Sequence, residues 1–191
     1  MLFVLLVVLI VCLLFTINCK TSSETETPGS NYVDPLAPLK TLTLTSTAFT
    51  HGGKIPAEYT CEKGNISPPL HWGNGPGGTR SFAVVFYDKS WAFVHMVLFN
   101  LHADLTGLPE DINGNLPAGA VFGRGSFGKG SAPVNGYLGP CPSPGDSNDY
   151  FFYVYALDTV LNLVDDTGRS ELMDAMAGHI LAWGELLGIY Y

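Results

Sequence analysis

Ser81-Phe82-Ala83-Val84-Val85-Phe86-Tyr87, followed five residues later by Phe93-Val94-His95-Met96-Val97-Leu98-Phe99-Asn100-Leu101, is the stretch that decides the fold. Parts of both runs alternate at period two and both are rich in Val, Phe and Leu, which is the signature of strands. Asp88 closes the first strand and His95 sits inside the second, so a hairpin-like pairing brings the two side chains onto one face. Thr41-Leu42-Thr43-Leu44-Thr45 and parts of 150–157 read the same way. Between residues 107 and 145, sixteen of the 39 residues are Gly or Pro. That is too many for a helix and too long for an ordinary connector, and loops of this kind often form sites.

The C-terminal stretch reads differently. Ser170 is a plausible N-cap, and Leu172, Met176, His179, Trp183 and Leu187 follow at helical spacing before Gly188. The expectation is one amphipathic helix over 170–187 packed on the sheets, with His179 on its apolar face as a core histidine. Gly178 and Gly184 inside such a helix would each cost about 1 kcal/mol relative to alanine, so one of them is expected to permit a close backbone approach.

Outward from this core, residues 2–15 form an unbroken apolar run of 14, shorter than the ~20 that span a bilayer and within the range of an export-signal core. It ends at Phe15-Thr16-Ile17-Asn18-Cys19, a loose bacterial lipobox in which Cys19 is the candidate for lipidation; a cleaved signal without lipid and an uncleaved anchor are the other readings. Two or three acyl chains on Cys19 would anchor the protein firmly, where one binds only marginally. Residues 20–39, with six Ser/Thr and three prolines, have the composition of a tether. The expected organisation is an export segment at 1–19, a flexible tether at 20–39 and one domain at 40–191, located in the bacterial envelope or periplasm. With Lys+Arg 9 against Asp+Glu 17 and a net charge of −8, the balance argues against a nucleic-acid partner.

Of the four cysteines, Cys61 and Cys141 fall in the folded part. In an exported chain the simplest reading is a Cys61–Cys141 disulfide. Two inert thiols, or a reactive Cys141 with His95 as base and Asp88 as orienter, are the alternatives. No closely spaced ligand set suggests a metal, and no cofactor is expected. Gly123-Arg124-Gly125-Ser126-Phe127-Gly128 matches a dinucleotide fingerprint, but Lys129-Gly130-Ser131-Ala132-Pro133 follows where a helix should open, so the match is accidental. A carboxylate beside an imidazole favours the imidazolium, so Asp88 and His95 together read either as an anion trap or as a satisfied core histidine.

Several strings carry a resemblance. Phe49-Thr50-His51-Gly52-Gly53-Lys54-Ile55-Pro56, Tyr59-Thr60-Cys61, Asn65-Ile66-Ser67-Pro68-Pro69-Leu70-His71-Trp72, Gly136-Tyr137-Leu138-Gly139-Pro140-Cys141-Pro142 and Gly178-His179-Ile180-Leu181-Ala182 occur in order, with the two core strands between them. Over about residues 42–191 the chain resembles the phosphatidylethanolamine-binding protein family, in its bacterial Raf kinase inhibitor-like branch. The resemblance implies a mainly β fold, an antiparallel two-sheet Greek-key-like sandwich with a C-terminal helix. It also implies a small pocket for phosphate-type anions or headgroups. Carried over position by position, the ligand-binding residues are Asp88, His95, the Cys141-Pro142 turn, Asn148 and Tyr150.

Two departures from the family pattern bear on that pocket. The aspartate motif is shortened here to Asp88-Lys89-Ser90-Trp91-Ala92, and a His-Arg-Tyr segment has become Asn148-Asp149-Tyr150. The first alters the pocket rim, and the second, which loses a histidine and an arginine and gains Asp149, lowers positive potential near the site; this implies weak phosphate binding or a neutral or zwitterionic ligand, with Lys89 in partial compensation. The functional expectation is a non-enzymatic binding protein for a small anionic or phospho-headgroup ligand, regulating or inhibiting a partner such as an envelope protease or kinase. A cysteine-dependent hydrolase using Cys141, His95 and Asp88, and an interaction module with a vestigial pocket, are the alternatives. Homodimers are common in the branch, and this chain's pattern does not decide the matter.

Overall fold

Residues 81–102 form the hairpin at the centre of the structure, a computed structural model that describes residues 39–127 and 133–191. The expected export segment with Cys19, and the expected tether up to residue 38, lie outside the described residues. In chain order the strands are β1 (Lys40–Thr41), β2 (Gly53–Lys54), β3 (Leu70–His71), β4 (Ser81–Asp88), β5 (Phe93–His102) and β6 (Gly107–Leu108), with a 3₁₀ turn at Ala57–Tyr59. β7 (Val121–Phe122), β8 (Arg124–Phe127), β9 (Pro133–Asn135), β10 (Asn148–Leu157), helix α1 (Arg169–Met176) and β11 (Ile180–Tyr190) follow.

Seven strands make the main sheet in the order β1-β11-β10-β4-β5-β7, with β2 also beside β11. β1 and β2 run parallel to β11 and the remaining pairs are antiparallel. β3 with β6, and β8 with β9, form two small sheets. The fold is therefore mainly β.

The main sheet is covered on both faces. Phe82, Val84, Phe86, Met96, Leu98, Phe152, Val154 and Leu186 pack on one side with Leu70 and Leu108 of the β3–β6 sheet and with Phe49, Ile55, Ile112 and Tyr137 from the irregular segments. Ala83, Val85, Val97, Phe99 and Tyr155 pack on the other side with Leu172 and Met176 of α1. Two-sided burial explains why 81–86 reads as nearly continuous apolar sequence, since a strand with no wet face has no need of polar residues at every second position.

The predicted C-terminal helix exists but is short. α1 spans Arg169–Met176, its N-cap is Gly168 rather than Ser170, and the chain turns at Gly178 (φ +81°) into β11. The reason lies in arithmetic: a spacing of four is a multiple of two, so Trp183 and Leu187 fit a helix face and a strand face equally. What decides is the small-residue series Ala182, Gly184 and Gly188 on the opposite, buried face. Gly184 lies against the Leu42 carbonyl so closely that a Cβ would clash, so the close approach is real but is made by a strand. His179 is exposed, not core, with Nδ1 2.8 Å from Asp158 Oδ1. The glycine-rich match at 123–128 opens no helix, because Arg124–Phe127 is a strand.

Candidate functional site

The site is built where three neighbouring strands end together. Asp88 faces Phe93 across the β4–β5 pair and Tyr150 across the β4–β10 pair. The β4–β5 register shifts next to it: Tyr87 opposes Val94, whereas Phe86 opposes Met96, so His95 is the extra residue of a β-bulge. The bulge puts His95 on the same face as Met96, its ring centroid 5.0 Å from Phe86, 4.7 Å from Phe93 and 5.4 Å from Tyr150. Below it Phe86 stacks on Phe152 at 3.9 Å and on Tyr137 at 5.4 Å. The expected meeting of Asp88 and His95 on one face is thus achieved by an irregularity that strand periodicity does not announce.

Asp88 is buried, and its carboxylate accepts three N–H groups. Oδ1 takes the backbone N–H of Ser90 (2.8 Å) and Trp91 (3.2 Å), and Oδ2 takes the side-chain amide of Asn148 (2.9 Å). The first pair shapes the four-residue connection 89–92, whose last residue, Ala92, adopts φ +52°. His95, only 5% exposed, donates Nδ1–H to the Leu138 carbonyl at 2.8 Å, while its own carbonyl accepts the Leu138 N–H at 3.1 Å. A carbonyl can only accept, so Nδ1 carries the proton and Nε2 keeps its lone pair in the neutral ring.

The opposite wall is residues 137–141. Asn113 holds Tyr137 through its N–H (2.7 Å) and C=O (3.1 Å), and the Tyr137 hydroxyl donates to the Tyr59 carbonyl at 2.6 Å. Asn65 Oδ1 accepts the Gly139 N–H at 2.7 Å, the Cys61 N–H bonds the Pro140 carbonyl at 3.1 Å, and the Cys61–Cys141 disulfide closes the wall. Gly139 must be glycine here, because a Cβ would lie 2.5 Å from the Tyr59 carbonyl oxygen. Cys141 therefore has no free thiol, which removes the cysteine-dependent hydrolase reading.

Between hairpin and wall lies a cavity of about 490 Å³ lined by all six residues expected from sequence (Asp88, His95, Cys141, Pro142, Asn148 and Tyr150), together with Trp91, Phe93, Ser143 and Asp146 among others. Sequence reasoning missed these last four as cavity residues. Their signal was proximity alone, since Trp91 and Phe93 flank the hairpin turn and Ser143 and Asp146 follow the Cys141-Pro142 turn.

The electrostatics separate the two readings of the Asp88–His95 pair. Burial pulls the His95 imidazole down to about 4, outweighing the Leu138 carbonyl and the Asp88 charge, both of which favour the proton. The ring is neutral at pH 7, and the imidazolium anion trap does not form. Burial, with the Asp88 charge second, raises the Tyr150 hydroxyl well above the usual phenol range, so it stays protonated. Lys89 does not compensate: it is absent from the cavity lining, and its Nζ sits 5.7 Å from the Phe151 ring centroid. Among the described residues no group of three or more His, Cys, Asp or Glu is arranged to hold a metal ion.

Comparison with known proteins decides the family. The profile of the phosphatidylethanolamine-binding proteins matches residues 45–191. The chain belongs to this family. Relatives include a UPF0098 protein of Methanothermobacter thermautotrophicus, 42% identical over 154 residues that cover 78% of this chain and 98% of the relative. A UPF0098 protein of Chlamydia pneumoniae is 37% identical over 155 residues, 77% of this chain and 97% of its own. Among solved structures, an Escherichia coli member of the mammalian family superposes with a TM-score of 0.70 at 31% identity, covering 78% of this chain and 97% of that one. A Chlamydia trachomatis homologue of the phosphatidylethanolamine-binding proteins gives 0.68 at 32% identity, covering 80% and 98%. The family is a ligand-binding fold, and in this member the buried Asp88, His95 and Asn148 converge on the cavity.

Proposed function

We propose that the protein is a non-catalytic binding protein that holds a headgroup-sized polar ligand in the cavity between the 88–93 hairpin and the 137–141 wall. The observation that carries this reading is the convergence of a buried carboxylate, a buried neutral histidine and a protonated tyrosine on one cavity, with the nearby sulfur locked in a disulfide. A site with a fixed acceptor and no free thiol suits recognition better than thiol-based turnover. The phospho-headgroup ligand implied by the family pattern is the first to titrate, although no Lys or Arg lines the cavity to meet its phosphate.

The second part of the proposal concerns place and partner. A disulfide suits an oxidising compartment, which supports export; the lipobox-like string ending at Cys19 would then anchor the protein to the bacterial envelope. There the cavity rim, with Trp91 at 70% exposure, would meet a protein partner, an envelope protease suiting that compartment better than a kinase. The test is a two-dimensional NMR titration of the full chain in a maltoside detergent with phosphoethanolamine, inorganic phosphate and acetate. Saturable shifts confined to residues around Asp88, His95 and Tyr150 are expected from at least one of them. Absence of any such shift at millimolar ligand, with the fold intact, would remove the cavity from the function.

A further inference from the structure

The cavity's chemistry says which class of ligand it takes, an inference that rests on the cavity being the binding site. Its formally charged side chains are Asp88 and Asp146, both acidic. The donors nearest the floor are already committed: the Asn148 amide and the Ser90 and Trp91 N–H groups bond Asp88, and His95 Nδ1–H bonds Leu138. What His95 has left is Nε2, an acceptor with no hydrogen-bond partner among the described residues, on a side chain that is more than nine-tenths buried and lines the cavity. Water reaching the cavity can donate to Nε2 in the free protein, but a ligand that displaces that water leaves the acceptor unsatisfied unless it brings a donor of its own. The lining also includes three aromatic side chains, Trp91, Phe93 and Tyr150, whose ring faces attract cations.

We propose that this cavity selects a small protonated primary amine, its N–H groups given to His95 Nε2 and its charge held by Asp88, Asp146 and the aromatic faces, rather than the phosphate-type anion that the family pattern implies. An anion would meet two carboxylates and no basic side chain there, and would find Tyr150 and Ser143 as its side-chain donors. A primary amine meets each of those features favourably: three donors, one positive charge and a short apolar tail for the Trp91–Phe93 side.

The experiment uses the full chain in a maltoside detergent, which carries no ammonium group, at pH 7. It is titrated separately with n-butylammonium, neutral n-butanol, tetramethylammonium, inorganic phosphate and acetate, followed by NMR and calorimetry. Saturable shifts at His95, Tyr150 and the Trp91 indole are expected with n-butylammonium. Binding should be at least about tenfold weaker for n-butanol, which lacks the charge, and for tetramethylammonium, which has no N–H for His95, a factor of ten being about 1.4 kcal/mol. Asp146 is exposed, so Asp146→Asn should leave the fold intact while weakening n-butylammonium binding by up to about fivefold, the range of a solvent-exposed charge pair.

Two failures are distinguishable. Phosphate or acetate saturating the same residues more tightly than n-butylammonium overturns the amine while leaving the cavity as the binding site, and equal binding by tetramethylammonium or an unmoved Asp146→Asn affinity overturns it in the same way. No shift with any probe overturns both.

Discussion

Replacing Cys61 and Cys141 together by serine removes the one covalent tie described between the 3₁₀-turn region and the cavity wall. The two residues are 80 apart in sequence, and in the chain-entropy description a closed loop of that size restricts the unfolded chain by about 4.5 kcal/mol. For a domain of roughly 150 residues, each kcal/mol moves Tm by about 2–4 °C, so the double variant should melt about 9–18 °C lower. The native wall should persist, because the Cys61 N–H to Pro140 and Gly139 N–H to Asn65 bonds do not involve sulfur. The loss therefore resides mainly in the unfolded state, and the urea m-value should rise as the unfolded chain expands. Calorimetry and urea titration of the oxidised parent and the variant provide the check, with mass spectrometry establishing the bond in the parent. A Tm change below about 3 °C, with the parent fully oxidised, would refute the reasoning.

Phe86→Ala removes a ring that is fully buried and touches Phe152, Tyr137, Tyr150 and His95. A loss of about 3–5 kcal/mol in urea unfolding is expected, together with altered NMR signals across the cavity floor. Gly188→Ala would place a Cβ 2.5 Å from Ile55 Cγ1 and 2.9 Å from Phe49 Cε2, and thermal melts should show about 1–3 kcal/mol of destabilisation from overpacking. His95 holds its proton less tightly in the folded state, at about 4, than in the unfolded chain, at about 6.5, so the unfolded state binds more protons between those values. Stability should fall by up to about 3 kcal/mol as pH drops through that window, and His95→Gln, measured by urea titration at several pH values, should flatten that part of the profile.

How much of this was legible in sequence follows from which residues obey a period. The hairpin of β4 and β5 was legible because long apolar runs bounded by a turn admit few other readings, and Asp88, His95 and Tyr150 could be placed by family pattern. The sequence does not separate helix from strand over β11, because Trp183 and Leu187 sit four apart, a spacing that both secondary structures satisfy; Gly184, expected as a costly helix glycine that permits a close approach, and Gly188, expected as the residue ending that helix, are both close contacts of a strand. The charge state of His95 stays open in sequence, between an imidazolium and a satisfied core histidine, and the structure takes the second. Sequence shows that a carboxylate lies nearby, but the burial that defeats its pull comes from Phe86, Phe93 and Tyr150 closing around the ring, and that is a property of the bulge. Asn65, which fixes the cavity wall through Gly139, is legible in sequence only as part of one string of the family pattern, with nothing there to announce that contact.

Asp88 does two jobs with one carboxylate: Oδ1 folds the hairpin turn that forms the cavity rim, and the same group lines the floor. Ligand preference and rim shape are consequently locked together at this position, and a substitution there disturbs both at once. Variation that retunes specificity while keeping the pocket standing has to occur elsewhere, at Trp91, Ser143 and Asp146, whose side chains border the cavity without organising it. Relatives with different ligands should then differ at those three positions before they differ at Asp88, and selection experiments for new binders would do best to leave the aspartate alone.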